Sequence, residues 1–188
     1  MPKIVDHDQY RKELLAKSFN LFAEKGYAAI TMRQVAQGIG VSTGTLYHYF
    51  PSKEVLFEQL IEQSCQESIL TVQSRMKNTQ TLRERLALVA EYIEEQEEKL
   101  IRQTQLWIDF CQHHAVNPKD LSLWQRMNHR HEQAAAEMLE ITNPEIVKLL
   151  GCVIDGVLLG RMLGSREISF TKQLGLFGEI LAASSEKN

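Results

Sequence analysis

Residues 31–53, TMRQVAQGIGVSTGTLYHYFPSK, constrain this chain more than any other stretch. Thr31 and Gln34 stand at the T-x-x-Q spacing of a capping box, so a helix begins there. Val35, Ala36 and Ile39 give it one apolar edge, and the small Ala36 lets a second helix cross closely. Gly40 stands where the chain leaves a helix with positive φ. Ser42 is a good N-cap for the next helix, whose Leu46 and Phe50 lie one turn apart on its inner side. Pro51 pushes Phe50 out of the α region and stops that helix. Two short helices joined by a tight turn make a helix-turn-helix pattern, in which the second helix is the one that enters a DNA major groove.

The residues expected to point outward on that second helix are Thr43, Thr45, Tyr47, His48 and Tyr49, with Gly44 leaving backbone accessible. Hydroxyls and ring donors suit phosphate oxygens and base edges. Lys53 follows the N-cap Ser52 in the first turn of the next helix, where a cation opposes the macrodipole by about 0.3–1 kcal/mol. A phosphate docked at that end offsets the cost. The expected DNA-contacting set is therefore Thr31, Arg33, Gln34, Ser42, Thr43, Gly44, Thr45, Tyr47, His48, Tyr49 and Lys53. The competing reading is a solvated polar helix surface.

At Ala29–Ala36, Gly40–Phe50 and Pro51–Phe57 the stretch resembles the TetR family of transcriptional regulators. Leu21–Tyr27 fits the end of that family's first helix. The likeness covers about residues 8–60; beyond them only the helical plan and short words such as Ile154-Asp-Gly156 are similar. The resemblance implies a homodimer on a palindromic operator, acting as a repressor that a small-molecule effector releases.

The composition fits an all-α chain. Apolar residues make up 44%, which argues against disorder, while 7% aromatic residues and four prolines favour helices over a β-sandwich. The net charge of −3 excludes a polycation that binds nucleic acid by bulk charge. Residues 1–60 hold seven lysines and arginines against six acids, so specificity has to come from arrangement. Cys65, Cys111 and Cys152 are scattered and form no CxxC pair, which indicates neither a disulfide framework nor a zinc knuckle. No signal region and no apolar run long enough to span a bilayer occur, so a cytoplasmic protein with no membrane partner is expected.

The remaining helices follow from their punctuation. Residues 8–25 carry the stripe Leu14/Leu15, Ser18/Phe19, Phe22, closing a three-helix unit. A connecting helix runs from about 52 to 76. Thr81 and Glu84 form a second capping box before Leu82, Leu86, Val89, Ala90 and Ile93. Glu94, Glu95, Glu97, Glu98 and Lys99 read as a solvated helix end. Leu100–His114 is helical again. Asn117-Pro118, with Asp120, and Asn143-Pro144 are both helix starts. Ile146–Leu163 is apolar nearly all round, as in a helix buried on more than one side. Phe170, Leu174, Phe177 and Leu181 stripe a final helix. The expected division is a DNA-binding domain at 1–50 and an effector-binding and dimerisation domain at 51–188.

Three groups stand outside the helix-turn-helix. Trp107, Phe110, Trp124 and Met127 fall on two neighbouring helices, as a core or as an apolar effector pocket with Cys111, His114 or His131 as polar handles. An apolar or aromatic effector follows from the second reading. Cys111 and His114, at i and i+3, invite a metal; the spacing of His129 and His131 does not, and no metal or cofactor is expected. Gly156, Gly160 and Gly164 recur every four residues at a cost of about 0.8–1.0 kcal/mol each. Joined to the Phe170–Leu181 stripe, they suggest close helix approach across a four-helix dimer interface, with close packing inside one subunit as the alternative. No G-x-S-x-G, P-loop or G-x-G-x-x-G occurs. A DNA-binding protein without a small ligand, and a helical enzyme or carrier in which the motif is coincidental, are the other classes.

Overall fold

The computed structural model describes residues 6–114 and 121–185, except the side chains of residues 114, 121, 122, 184 and 185. Among the described residues every regular element is helical: α1 (His7–Lys25), α2 (Met32–Gly38), α3 (Thr43–Tyr49), α4 (Lys53–Arg75), α5 (Leu82–Glu95), α6 (Glu97–His114), α7 (Leu121–Leu139), α8 (Pro144–Met162) and α9 (Phe170–Ser185), with a 3-10 turn at Met76–Asn78. The start signal expected at Asn117-Pro118 lies outside the described residues. No helix among the described residues is long and apolar enough to cross a membrane. The chain divides into two compact units, Met1–Glu67 with Arg102–Gln125 and Ser68–Ile101 with Arg126–Asn188.

In the first unit the local signals build α1 to α3. The Asp6 carboxylate caps α1 by accepting from the amides of Asp8 and Gln9. Leu14, Leu15, Ser18 and Phe22 are its buried stripe. Ser18 is tolerated there because its hydroxyl donates to the Leu14 carbonyl at 2.7 Å. Thr31 and Gln34 close the capping box of α2, whose Met32, Val35 and Ala36 are buried. Gly40 takes φ +76°, which lets the Val41 amide turn back to the Ala36 carbonyl at 2.9 Å. Ser42 caps α3, and Leu46 and Phe50 are fully buried.

A run of rings extends this core. Phe22 stacks on Tyr27, Tyr27 meets Phe57 and Phe110 edge-on at 4.9 Å each, and Phe57 stacks on Phe110 at 4.5 Å. Trp107 packs on Phe110 and Phe57, and Trp124 packs edge-on against Trp107 at 5.6 Å. Each such pair adds about 0.5–1.5 kcal/mol beyond its burial.

The second unit is organised by α5, α8 and α9. Leu86, Ala90 and Ile93 of α5 share a core with Leu150, Val157 and Leu158 of α8 and with Phe170, Leu174 and Phe177 of α9. The last three were expected to face a second copy. They are instead only 1%, 1% and 6% exposed, and the half-buried Leu181 packs against the same core, because α5 of the same chain covers that stripe. The face that α8 and α9 leave open is a different one: Leu149, Leu159 and Leu163 of and just after α8, the last 79% exposed, and Leu176 and Ile180 of α9. Burial of α8 on more than one side is thus not observed within the chain.

The glycines of α8 divide in the same way. A Cβ at Gly160 would lie 3.1 Å from Cδ1 of Ile168, so this glycine permits close packing inside the subunit, whereas Gly156 and Gly164 face open space. The charge run is also put to structural use. Arg161 grips Glu97 through two hydrogen bonds of 2.8 and 2.6 Å, Arg75 pairs with Glu95 at 2.8 Å, and Glu94 accepts from the Ser169 hydroxyl and from the Thr171 amide and hydroxyl at the start of α9.

Candidate nucleic-acid interface

The inward side of α3 is Leu46, Tyr49 and Phe50, and the rest of the helix is turned outward. Gly44, Tyr47 and His48 are exposed, and Thr43 and Thr45 are half-buried. Tyr47, a large ring left 50% exposed, is the most prominent side chain of this face. The Ser42 hydroxyl accepts from the Thr45 amide at 2.9 Å and shares a hydrogen bond with the Thr45 hydroxyl at 2.8 Å, which fixes both oxygens at the N-terminal end of α3.

Tyr49 departs from the expected outward set. It is 8% exposed, and its hydroxyl meets His7 Nδ1 at 2.7 Å. Its ring packs edge-on against Tyr10 at 5.4 Å, with the Arg11 guanidinium 5.8 Å from its centre. Tyr49 stands three residues after Leu46, so the helical repeat carries it to the side facing α1.

On α2, Thr31, Arg33 and Gln34 are exposed. Thr31 and Gln34 are bound to each other: the Thr31 amide and hydroxyl both donate to Gln34 Oε1 at 2.9 Å. Lys53 is also engaged. Its ammonium donates to the carbonyls of Tyr27 at 2.8 Å and Ile30 at 3.1 Å and lies 4.4 Å from the centre of the Tyr27 ring. The compensation sought for a cation at a helix start is met here by two carbonyls and a ring face rather than by an anion. Beside it, burial alone would raise the Glu54 carboxyl, but hydrogen bonds from its own amide, Ser52 and Tyr27 hold it below its ordinary value.

The turn between α1 and α2 is held from α6 as well. Asp109 Oδ2 accepts from the Ala28 amide at 3.2 Å, 81 residues away in sequence. Gly26, at φ +78°, is what allows the approach: a Cβ there would stand 2.9 Å from the same oxygen. His113 lies 3.5 Å from Asp109 Oδ1. Neither Asp109 nor His7 was among the expected site residues. Only contacts distant in sequence reveal them, and no local spacing does.

Of the expected effector residues, the first unit brings together Trp107, Phe110 and Trp124, with Cys111 exposed nearby on α6. Trp107 and Phe110 are buried and Trp124 is partly exposed. The side chain of His114 lies outside the described residues. Met127 and His131 belong to the second unit, where Met127 is buried. His131 is open to solvent, yet the protein atoms crowded around it lower its pKa from the usual imidazole value. Among the described residues no three His, Cys, Asp or Glu side chains come together to hold a metal.

A short helix pair with a capped second helix, a polar outer face and an apolar inner one is a helix-turn-helix. Residues 14–60 match the family model of bacterial regulatory proteins, tetR family. The likeness to that family is carried by residues 14–60, the segment that holds α2 and α3. It is 45% identical over 51 residues to the HTH-type transcriptional repressor KstR2 of Mycobacterium tuberculosis, a match covering 27% of this chain and 26% of that one. The chain thus spans about a quarter of the length of the curated relatives it matches first. Over 188 residues it is 24% identical to the HTH-type transcriptional regulator BetI of Brucella anthropi, covering 97% and 96% of the two chains. In fold it is similar to the transcriptional regulator FadR of Bacillus subtilis, solved in complex with stearoyl-CoA, with a TM-score of 0.70 at 18% identity over 90% of this chain and 96% of that one.

Proposed function

We propose that this chain is a sequence-specific DNA-binding transcriptional regulator that acts as a homodimer in the cytoplasm, represses from a palindromic operator and is released by a small apolar or aromatic effector. The observation that carries this reading is the division of α3 into a buried Leu46–Tyr49–Phe50 side and an outward Thr43, Gly44, Thr45, Tyr47 and His48 side. Residues 1–50 read DNA, and residues 51–188 bind the effector and dimerise. Thr45 and Tyr47 are the residues for base edges; Thr31, Arg33, Gln34, Ser42, Thr43 and His48 serve the backbone. Lys53 and Tyr49 act through the elements they hold. The second copy packs on Leu149, Gly156, Leu159, Leu163, Leu176 and Ile180, whose exposure in a single chain is costly in water. Dimerisation sets two α3 helices in successive major grooves, about 34–36 Å apart.

Release follows from α6. This helix carries Trp107 and Phe110 on one side and the Asp109 tie to the α1–α2 turn on another. An effector seated against the tryptophans that moves α6 also moves the turn on which α2 and α3 rest. A coupling of about 1–3 kcal/mol is typical of such linkage. A second reading, a DNA-binding protein with no small ligand, is favoured by the direct ring contacts of Trp107, Phe110 and Phe57, which fill that side of α6.

The test is selection of bound duplexes from random DNA, followed by a screen for compounds that release them. A palindromic consensus and a compound that both releases DNA and alters tryptophan emission support the proposal. Failure to enrich any sequence overturns it, and release without any change at Trp107 or Trp124 moves the effector site elsewhere.

A further inference from the structure

Beside the recognition helix stands a group that the α3 motif does not include. His7, exposed at the start of α1, meets the Tyr49 hydroxyl through Nδ1 at 2.7 Å, and its ring lies 5.9 Å from the Tyr49 ring and 6.5 Å from the exposed ring of His48. Two imidazoles therefore flank the buried Tyr49, one from each helix. We propose that His7 is a DNA-backbone contact whose charge makes operator binding take up protons, with Tyr49 as its positioning residue. This rests on the DNA-binding reading above.

The chemistry follows from which nitrogen carries the proton. A tyrosine hydroxyl that donates to Nδ1 leaves the imidazole proton on Nε2, the far side of the ring. Phosphate oxygens accept hydrogen bonds and never donate, so Nε2–H is the form they require. A second proton turns the same ring into a cation, reverses the Tyr49 bond so that Nδ1–H donates to the hydroxyl oxygen, and makes the phosphate contact charge-assisted. The charged and titratable residues around His7 are Asp6, Asp8, Tyr10 and Arg11 at the start of α1 and His48 and Tyr49 of α3. Arg11 is in turn held by Gln59 of α4 at 2.9 Å. A phosphate arriving at this edge of α3 favours the imidazolium over the neutral ring.

The experiment is fluorescence anisotropy of a labelled operator duplex, itself selected from random DNA, titrated with the full chain between pH 6 and pH 8 at fixed salt. Wild-type affinity is expected to rise about tenfold as pH falls across that range. His7→Gln, which keeps a donor but takes no charge, is expected to match wild type at pH 8 and to lose most of the rise. It should also lower the salt slope at pH 6 by about one per subunit. Tyr49→Phe, which leaves the ring of His7 unheld, is expected to lose affinity at both pH values. A His7→Gln profile that overlays wild type overturns the proposal, as does a wild-type profile without pH dependence; in both cases the DNA-binding reading stands. Failure of wild type to bind any selected duplex overturns both.

Discussion

Two parts of this chain turn a whole face to solvent, and the faces differ in kind. That of α3 is made of hydroxyls, an imidazole and one tyrosine, polar groups that water or a neighbouring side chain can satisfy. That of α8 and α9 carries four leucines and an isoleucine, for which water is a poor solvent at about 25 cal/mol per Å² of apolar area. The first face is stable while it waits for a partner and chooses one by the placement of donors. The second is costly to leave in water, and the second copy proposed to cover it needs only matching shape and apolar character. On the proposed function, recognition of DNA and self-association answer to different perturbations: salt and single hydrogen bonds for one, area and charge insertion for the other.

The largest break in this comparison is expected from Leu159→Glu. A carboxylate placed twice across a symmetric apolar interface should convert the dimer to a monomer in sedimentation, and operator affinity should fall by about 100-fold as the bivalent gain disappears. A dimer with normal operator affinity would show that the leucine face is not the interface. Tyr47→Ala comes next. It should cost about 1–3 kcal/mol of operator binding while sedimentation and helix content stay unchanged; equal retardation of operator DNA by variant and wild type would remove Tyr47 from the contact surface.

Gly160→Leu sharpens the contrast, because this glycine belongs to neither face. Ile168 stands in the way within the same chain, so the expected loss is about 1–3 kcal/mol of folding stability, read by denaturant midpoint, with the dimer retained. The smallest effect is expected from Glu97→Gln, at about 1 kcal/mol for a partly exposed pair. The hydrogen bonds from Arg161 hold the Glu97 carboxyl below its ordinary value of 4.5, against the opposing effect of burial. Its contribution is therefore fully present above about pH 4.5 and lost as pH falls through the lowered value. The variant's stability should converge on that of wild type in acid, and a constant difference down to the lowest measurable pH would contradict this.

Elements announced by local chemistry were legible in the sequence. The two capping boxes, Gly40, Ser42 and Asn143-Pro144 mark α2, α3, α5 and α8, because a cap acts on amides only two or three residues away. The choice of partner for a face was not legible. The stripe Phe170–Leu174–Phe177 is apolar whether it meets α5 of its own chain or a second copy, and periodicity carries no information about which. Tyr49 shows the same limit at the candidate site. Its residue type suits a DNA contact, but the turn of α3 delivers it to His7 and Tyr10. Lys53 shows it again, since the carbonyls that hold it belong to a turn more than twenty residues earlier.

The bond between Asp109 and the Ala28 amide has a consequence for how the protein is made. A ribosome synthesises the whole helix-turn-helix before it reaches residue 109. Until then the emerging chain has its caps and its inner leucine and phenylalanines, but the turn between its first two helices lacks one of its anchors, and Tyr27 and Phe57 lack the ring of Phe110 that later covers them. The reading head is thus completed late, by a segment encoded well downstream of it. A nascent chain stalled between the two carries the full helix-turn-helix sequence without the contacts to Asp109 and Phe110.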